Sequence, residues 1–224
     1  RFPKATPTHS AAYYEAQYDE FEQGPVTSLP TITEAQELQG RDFVGSDWDA
    51  SDRLSLFTRA GSRGRLLDYG CSWGYFVAQA KGVGFDAFGY EISRTRADFG
   101  QQALNLDILT EAADLDRLQS GSVAVIYSSH VLEHLSSLVG VFPLFHRLLA
   151  PDGILMIFVP NWGGLAARTL GVMWGPFTNE AHTLSFEAAF FQRNLSNEGF
   201  DIRCWTNPYP RAALLRPGTR RSLV

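Results

Sequence analysis

The chain has 224 residues, 45% of them hydrophobic, enough for one domain with a sizeable core. A net charge of −5 gives no bulk attraction to nucleic acid, and two cysteines supply neither a disulfide framework nor a multi-cysteine metal site. No apolar run reaches the length of a membrane span, so a cytoplasmic protein without membrane or nucleic-acid partners is expected.

Residues 1–45 read as an N-terminal extension or lid. Within it, Tyr13 to Phe21 has a helical pattern that puts Tyr14, Tyr18 and Phe21 on one face, either packed on the core or covering a ligand. A short helix over Thr33 to Leu38 and another over Asp52 to Arg59 follow. Residues 46–206 form the expected catalytic domain, whose first core strand is the apolar run Leu66 to Tyr69. Gly70 and Gly74 then bracket a tight turn, and Phe76, Val77, Ala80 and Val83 recur at helical spacing. Strand, glycine turn and helix form the junction where α/β proteins bind nucleotides, because helix N–H groups and a close-approaching backbone meet there. The turn lacks the third glycine of a dinucleotide site and the lysine of a P-loop.

Phe85 to Glu91 is a second strand ending in an acid, 23 positions beyond Asp68. An acid at that place can hold two ribose hydroxyls. Ser93 caps a helix running to Ala103, and Leu104 to Asp107 is expected as a third strand. Asp114 to Leu118 is helical, and the β-branched run Val123 to Tyr127 is a buried fourth strand. A long helix over Leu135 to Leu149 and a fifth strand over Ile154 to Val159 complete the alternation. The expected architecture is a Rossmann-like, doubly wound α/β fold: a mostly parallel seven-stranded sheet with helices on both faces. Residues 161–183 form a glycine- and aromatic-rich, lid-like insertion, followed by a Ser185-capped helix to Asn197 and a late strand over Phe200 to Thr206. Residues 207–224 are a tail, in which Asn207-Pro208-Tyr209-Pro210 reads as a turn.

Three segments carry a resemblance. Asp68-Tyr69-Gly70-Cys71-Ser72-Trp73-Gly74 resembles the first motif of class I S-adenosylmethionine-dependent methyltransferases, with Ser72 in the middle glycine position. His130-Val131-Leu132-Glu133-His134-Leu135, Leu148 to Gly153 and Val159-Pro160-Asn161 are similar to the later motifs of the small-molecule members. The match covers about residues 60–161, with Asp152 replacing a usual glycine. The resemblance implies S-adenosylmethionine as cofactor and a small-molecule acceptor. It assigns Asp68, Gly70, Cys71, Gly74, Glu91, Ile92, Asp107, Ile108 and Ser128 to the cofactor, the edge strands of the sheet being antiparallel. Rivals are a nicotinamide oxidoreductase, which the turn does not suit, and a cofactor-binding domain without catalysis.

The segment His130-x-x-Glu133-His134 has three readings. It matches a metalloprotease signature, but it follows a buried strand, the wrong setting for a helix-borne zinc. Some quinone-pathway methyltransferases hold a divalent cation with an acid, a Glu and a His here, but His130 stands where the acid belongs, so no metal ligands are assigned. In the third, Glu133 and His134 orient the loop and His130 is left as an acid/base or a substrate contact. The candidate catalytic residues are His130 first and His182 second.

Overall fold

The computed structural model describes residues 28–179, 182–205 and 222–223; Tyr13 to Phe21, Thr206 and the tail through Arg221 lie outside the described residues. Helix α1 (Ile32–Gly40) starts at a capping box, with Thr31 and Glu34 satisfying each other's backbone N–H groups. Helix α2 (Ser51–Arg59) follows. Then β1 (Arg65–Tyr69), α3 (Tyr75–Gly82), β2 (Asp86–Tyr90), α4 (Arg94–Leu104), β3 (Ile108–Leu109), α5 (Ala112–Arg117) and β4 (Val123–Ser129) alternate in sequence. Helix α6 (Val141–Leu148) leads into β5 (Leu149–Phe158).

The five strands run parallel in the order β3-β2-β1-β4-β5, a Rossmann-like sheet. Two layers of core flank it. Leu66, Val125 and Tyr127 face α1 to α4, whereas Leu67, Tyr69 and Ile126 face α6 and helix α9 (Ala188–Asn197). Alternation along each strand thus sends Asp68 to the first face and Tyr69 to the second. The strand order reverses between β1 and β4, and a crevice opens there at the carboxyl ends.

Several boundaries differ from the sequence-based expectation. The third strand begins at Ile108, because Asn105 takes a left-handed conformation (φ 52°) that ends α4 only after Leu104. The long helix from Leu135 does not form: a 3₁₀ turn, Leu132–His134, is followed by Gly140 at φ 87°, and α6 starts only at Val141. Pro143 needs that late start, since its ring fits only a first helical turn. Ser185 does not cap α9; its N-cap is Glu187, with no side-chain hydrogen bond.

Residues 161–183 are not a bare loop but carry α7 (Leu165–Leu170), a 3₁₀ turn and α8 (Gly175–Thr178). Beyond β5 lie two two-residue pairings, β7 (Ser222–Leu223) beside it and β6 (Asp201–Ile202) outermost. Both are parallel, not antiparallel as the resemblance implies. For β6 the cause is α9, which returns the chain to the start of the sheet as a crossover helix does. Among the described residues, no helix is long and apolar enough to cross a membrane.

Candidate active site

The site is built on the turn after β1. Gly70, Ser72 and Gly74 all have positive φ, at 83°, 52° and 81°. A Cβ on Gly70 would overlap the Val131 side chain, and one on Gly74 would stand 2.5 Å from Leu106. Ser72 tolerates the left-handed region because its hydroxyl accepts from Arg96 at 2.8 Å and its N–H donates to Glu91 Oε2 at 2.9 Å. Trp73 is fully buried amid Phe43, Trp48, Tyr75 and Phe99, so it anchors the turn from beneath. Gly74 caps α3 without a side-chain bond, which leaves that helix's first N–H groups for an anion. Gly70→Ala combines left-handed strain with the Val131 overlap and is expected to cost about 2 kcal/mol of stability, read as a lower urea midpoint. An unchanged midpoint would show that the turn yields.

Glu91 is 5% exposed. Its other oxygen accepts from Ser93 N–H at 2.9 Å, so it ties the turn to the start of α4. Burial raises its pKa, against the pull of these two amides and Arg96. Two bonds leave carboxylate lone pairs for a ligand. Asp68 is buried too, and its pKa is pushed well above the ordinary range by desolvation and then by the Glu91 charge; Arg53 opposes this.

Arg53 belongs to none of the sequence motifs. It projects from α2, donates to Tyr127 Oη at 2.9 Å and lies 5.5 Å from the Phe158 ring centroid. It is thus a cation near enough to Asp68 to oppose the rise of its pKa. Its position four residues before buried Phe57, on the inward side of α2, is the signal that marks it.

A cleft of about 130 Å³ brings together Gly70, Glu91, Ile92, His130 and His134. The remaining cofactor candidates do not line it. Cys71 is buried, its thiol pKa raised by desolvation, and a Cβ on Gly89 would overlap its sulfur. Ile108 fills the core beneath Gly74 and Gly100, and Asp107 is exposed, with its carbonyl accepting from Gly89 N–H. Ser128 is buried, its hydroxyl without a hydrogen-bond partner.

His130 sits at φ 56° with its side chain 63% exposed, and Nδ1 lies 3.1 Å from Glu133 Oε1. Glu133 is fully buried, and its carbonyl accepts from the N–H groups of Thr183 and Leu184. Those bonds bring His182 to this turn, its ring centroid 4.7 Å from that of His134. Burial lowers the His182 pKa, with Glu133 pulling the other way.

Sheet order and crevice define a Rossmann-like α/β protein with a ligand site at the switch point. A family model described as a methyltransferase domain matches residues 47–204, and the chain belongs to that family. No curated protein matches it in sequence. Among solved structures, a SAM-dependent methyltransferase from Archaeoglobus fulgidus is similar at 19% identity and TM-score 0.58, over 84% of this chain and 74% of that one. Phosphoethanolamine N-methyltransferase 2 of Haemonchus contortus, in complex with S-adenosyl-L-methionine, is similar at 15% identity and TM-score 0.57, over 83% of this chain but 44% of its own. At these identities the likeness is one of fold.

Proposed function

We propose that this methyltransferase moves a methyl group from S-adenosylmethionine to a small-molecule acceptor, a sugar or natural-product intermediate, in the crevice at the ends of β1, β2 and β4. The observation that carries this reading is the joining of Glu91 to the glycine turn through Ser72, beside an uncapped helix start. Glu91 would hold the ribose, with Ile92, Asp107, Ile108 and Ser128 on the adenosine side. Gly70, Cys71 and Gly74 admit the methionine end, whose carboxylate meets the α3 N–H groups and Arg53 and whose amino group meets Asp68. The sulfonium is already reactive, so holding nucleophile and methyl in line, away from water, supplies most of the acceleration. A hydroxyl acceptor also needs a base, for which His130 comes first and His182 second.

Residues 46–206 would be the catalytic domain, with 161–183 as its lid and a seven-stranded sheet when complete. Calorimetry with S-adenosylhomocysteine and a methyl-transfer assay over an acceptor panel test the reading. Binding of NADH in place of S-adenosylhomocysteine would overturn it, and cofactor binding without turnover on any acceptor would favour a non-catalytic domain.

Asp68 supplies a pH prediction. Burial and Glu91 favour its protonated form in the free protein. A cationic amino group beside it favours the carboxylate, so binding should release a proton and affinity should rise with pH until the free-protein pKa is passed. Calorimetry of S-adenosylhomocysteine in buffers of different ionisation enthalpy reads that proton. Equal proton release from Asp68→Asn would remove Asp68 from this role.

A further inference from the structure

Outside the glycine turn, one cluster is used only in part by the methyl-transfer reading, which takes His182 as a second base. Glu133 and His134 sit together on the 3₁₀ turn, and His182 reaches them from the end of the 161–183 segment. One ligand atom of each lies within 4.8 Å of the other two. Two details turn this proximity into a site. Glu133 Oε2 is buried without a hydrogen-bond partner, although its sister oxygen is met by His130. An unpaired buried carboxylate oxygen is costly, and a cation is the partner that removes the cost most completely.

The second detail is the His182 tautomer. Its Nδ1 lies 3.2 Å from the Pro176 carbonyl, which can only accept, so the ring proton belongs on Nδ1. The Nε2 lone pair is thereby presented, and the amide of Asn179 now meets it at 3.2 Å. A histidine fixed through a backbone carbonyl, with its other nitrogen presented, is the usual arrangement of a metal ligand. An exposed asparagine amide is an easily displaced stand-in. The segments carrying the ligands are already tied: Thr183 N–H donates to the Glu133 carbonyl at 2.8 Å, and Thr183 Oγ1 to the Leu135 carbonyl at 2.6 Å.

We infer that Glu133, His134 and His182 form a binding site for one divalent ion of the zinc class, clasping the 161–183 segment to the 132–135 turn beside the cleft. Two imidazoles and one carboxylate suit zinc, cobalt or nickel, whereas magnesium and calcium take oxygen ligands. Three protein ligands leave a coordination position for water or an acceptor oxygen, and His134, which lines the cleft, sets that position next to it. A four-coordinate ion would draw the ligand atoms to about 3.3 Å from one another, a modest side-chain closure. His182 then serves as a ligand and not as a base, and His130 alone keeps that role.

The test uses the full chain, stripped with a chelator and titrated with cobalt(II) and zinc(II) without cofactor or acceptor, so its failure and that of the methyl-transfer reading are told apart. Calorimetry should show one ion per chain, and the cobalt adduct should show the intense visible bands of four-coordinate cobalt. Affinity should fall at least tenfold in His182→Ala and in Glu133→Gln. Should Glu133→Gln fail to fold, His182→Ala decides, since His182 lies outside the core and its variant is checked by circular dichroism. Fractional stoichiometry, unchanged affinity in a folded His182→Ala, or binding of magnesium at least as tight as zinc would overturn the inference.

Discussion

Glu91→Ala is expected to weaken S-adenosylhomocysteine binding by about 10²–10³-fold. The estimate follows from two charge-assisted hydrogen bonds to a ribose diol at about 1.5–3 kcal/mol each, discounted for exchange with water, with each 1.4 kcal/mol worth a factor of ten. Part of the loss is indirect. Glu91 accepts from Ser72 and Ser93 at 2.9 Å, so alanine also strips two amides of their acceptor and loosens the turn against α4. Glu91→Gln separates the two effects: its amide oxygen keeps one acceptor and the residue volume, so the fold should stand while the ribose contact weakens. Isothermal calorimetry measures the affinity, and circular dichroism checks the fold. A Glu91→Ala protein that binds within threefold of wild type would remove the ribose assignment and leave the glycine turn without its ligand.

The parts of this site legible in the sequence are those encoded locally. Strand, turn and helix from Leu66 to Val83 are specified by neighbouring residues: an apolar run, glycines where φ must be positive, and a helical period. Glu91 is legible because it follows a second strand of the same kind. The illegible parts depend on contacts across long stretches of chain. His182 meets His134 only because Thr183 and Leu184 bond back to Glu133, fifty residues earlier, and no period or motif encodes that. Arg53 sits at an inward position of α2, but its target Tyr127 lies 74 residues further along the chain, and helical spacing does not name it. The misplaced starts of β3 and α6 have local causes, since Asn105 and Gly140 adopt left-handed conformations that a hydrophobic pattern does not register.

Replacing His130 is the second large effect. Glu133 is sealed from solvent, and its Oε1 stands 3.1 Å from His130 Nδ1; an ionised carboxylate there can only accept, which would put the ring proton on Nδ1 and leave Nε2 able to accept one. The ring is exposed and lines the cleft that holds Gly70 and Glu91, so a base here would have access to an acceptor entering from solvent. General-base contributions are of the order of 10²–10⁴-fold. His130→Ala should therefore lower kcat on a hydroxyl acceptor by about that factor, with KM and the affinity for S-adenosylhomocysteine nearly unchanged. An amine acceptor delivered as the free base needs no such proton transfer, and its turnover should barely respond. Added imidazole should restore part of the lost hydroxyl activity, which a merely structural defect would not allow. Equal losses on both acceptor types, or a parallel collapse of cofactor affinity, would show that His130 shapes the crevice and moves no proton.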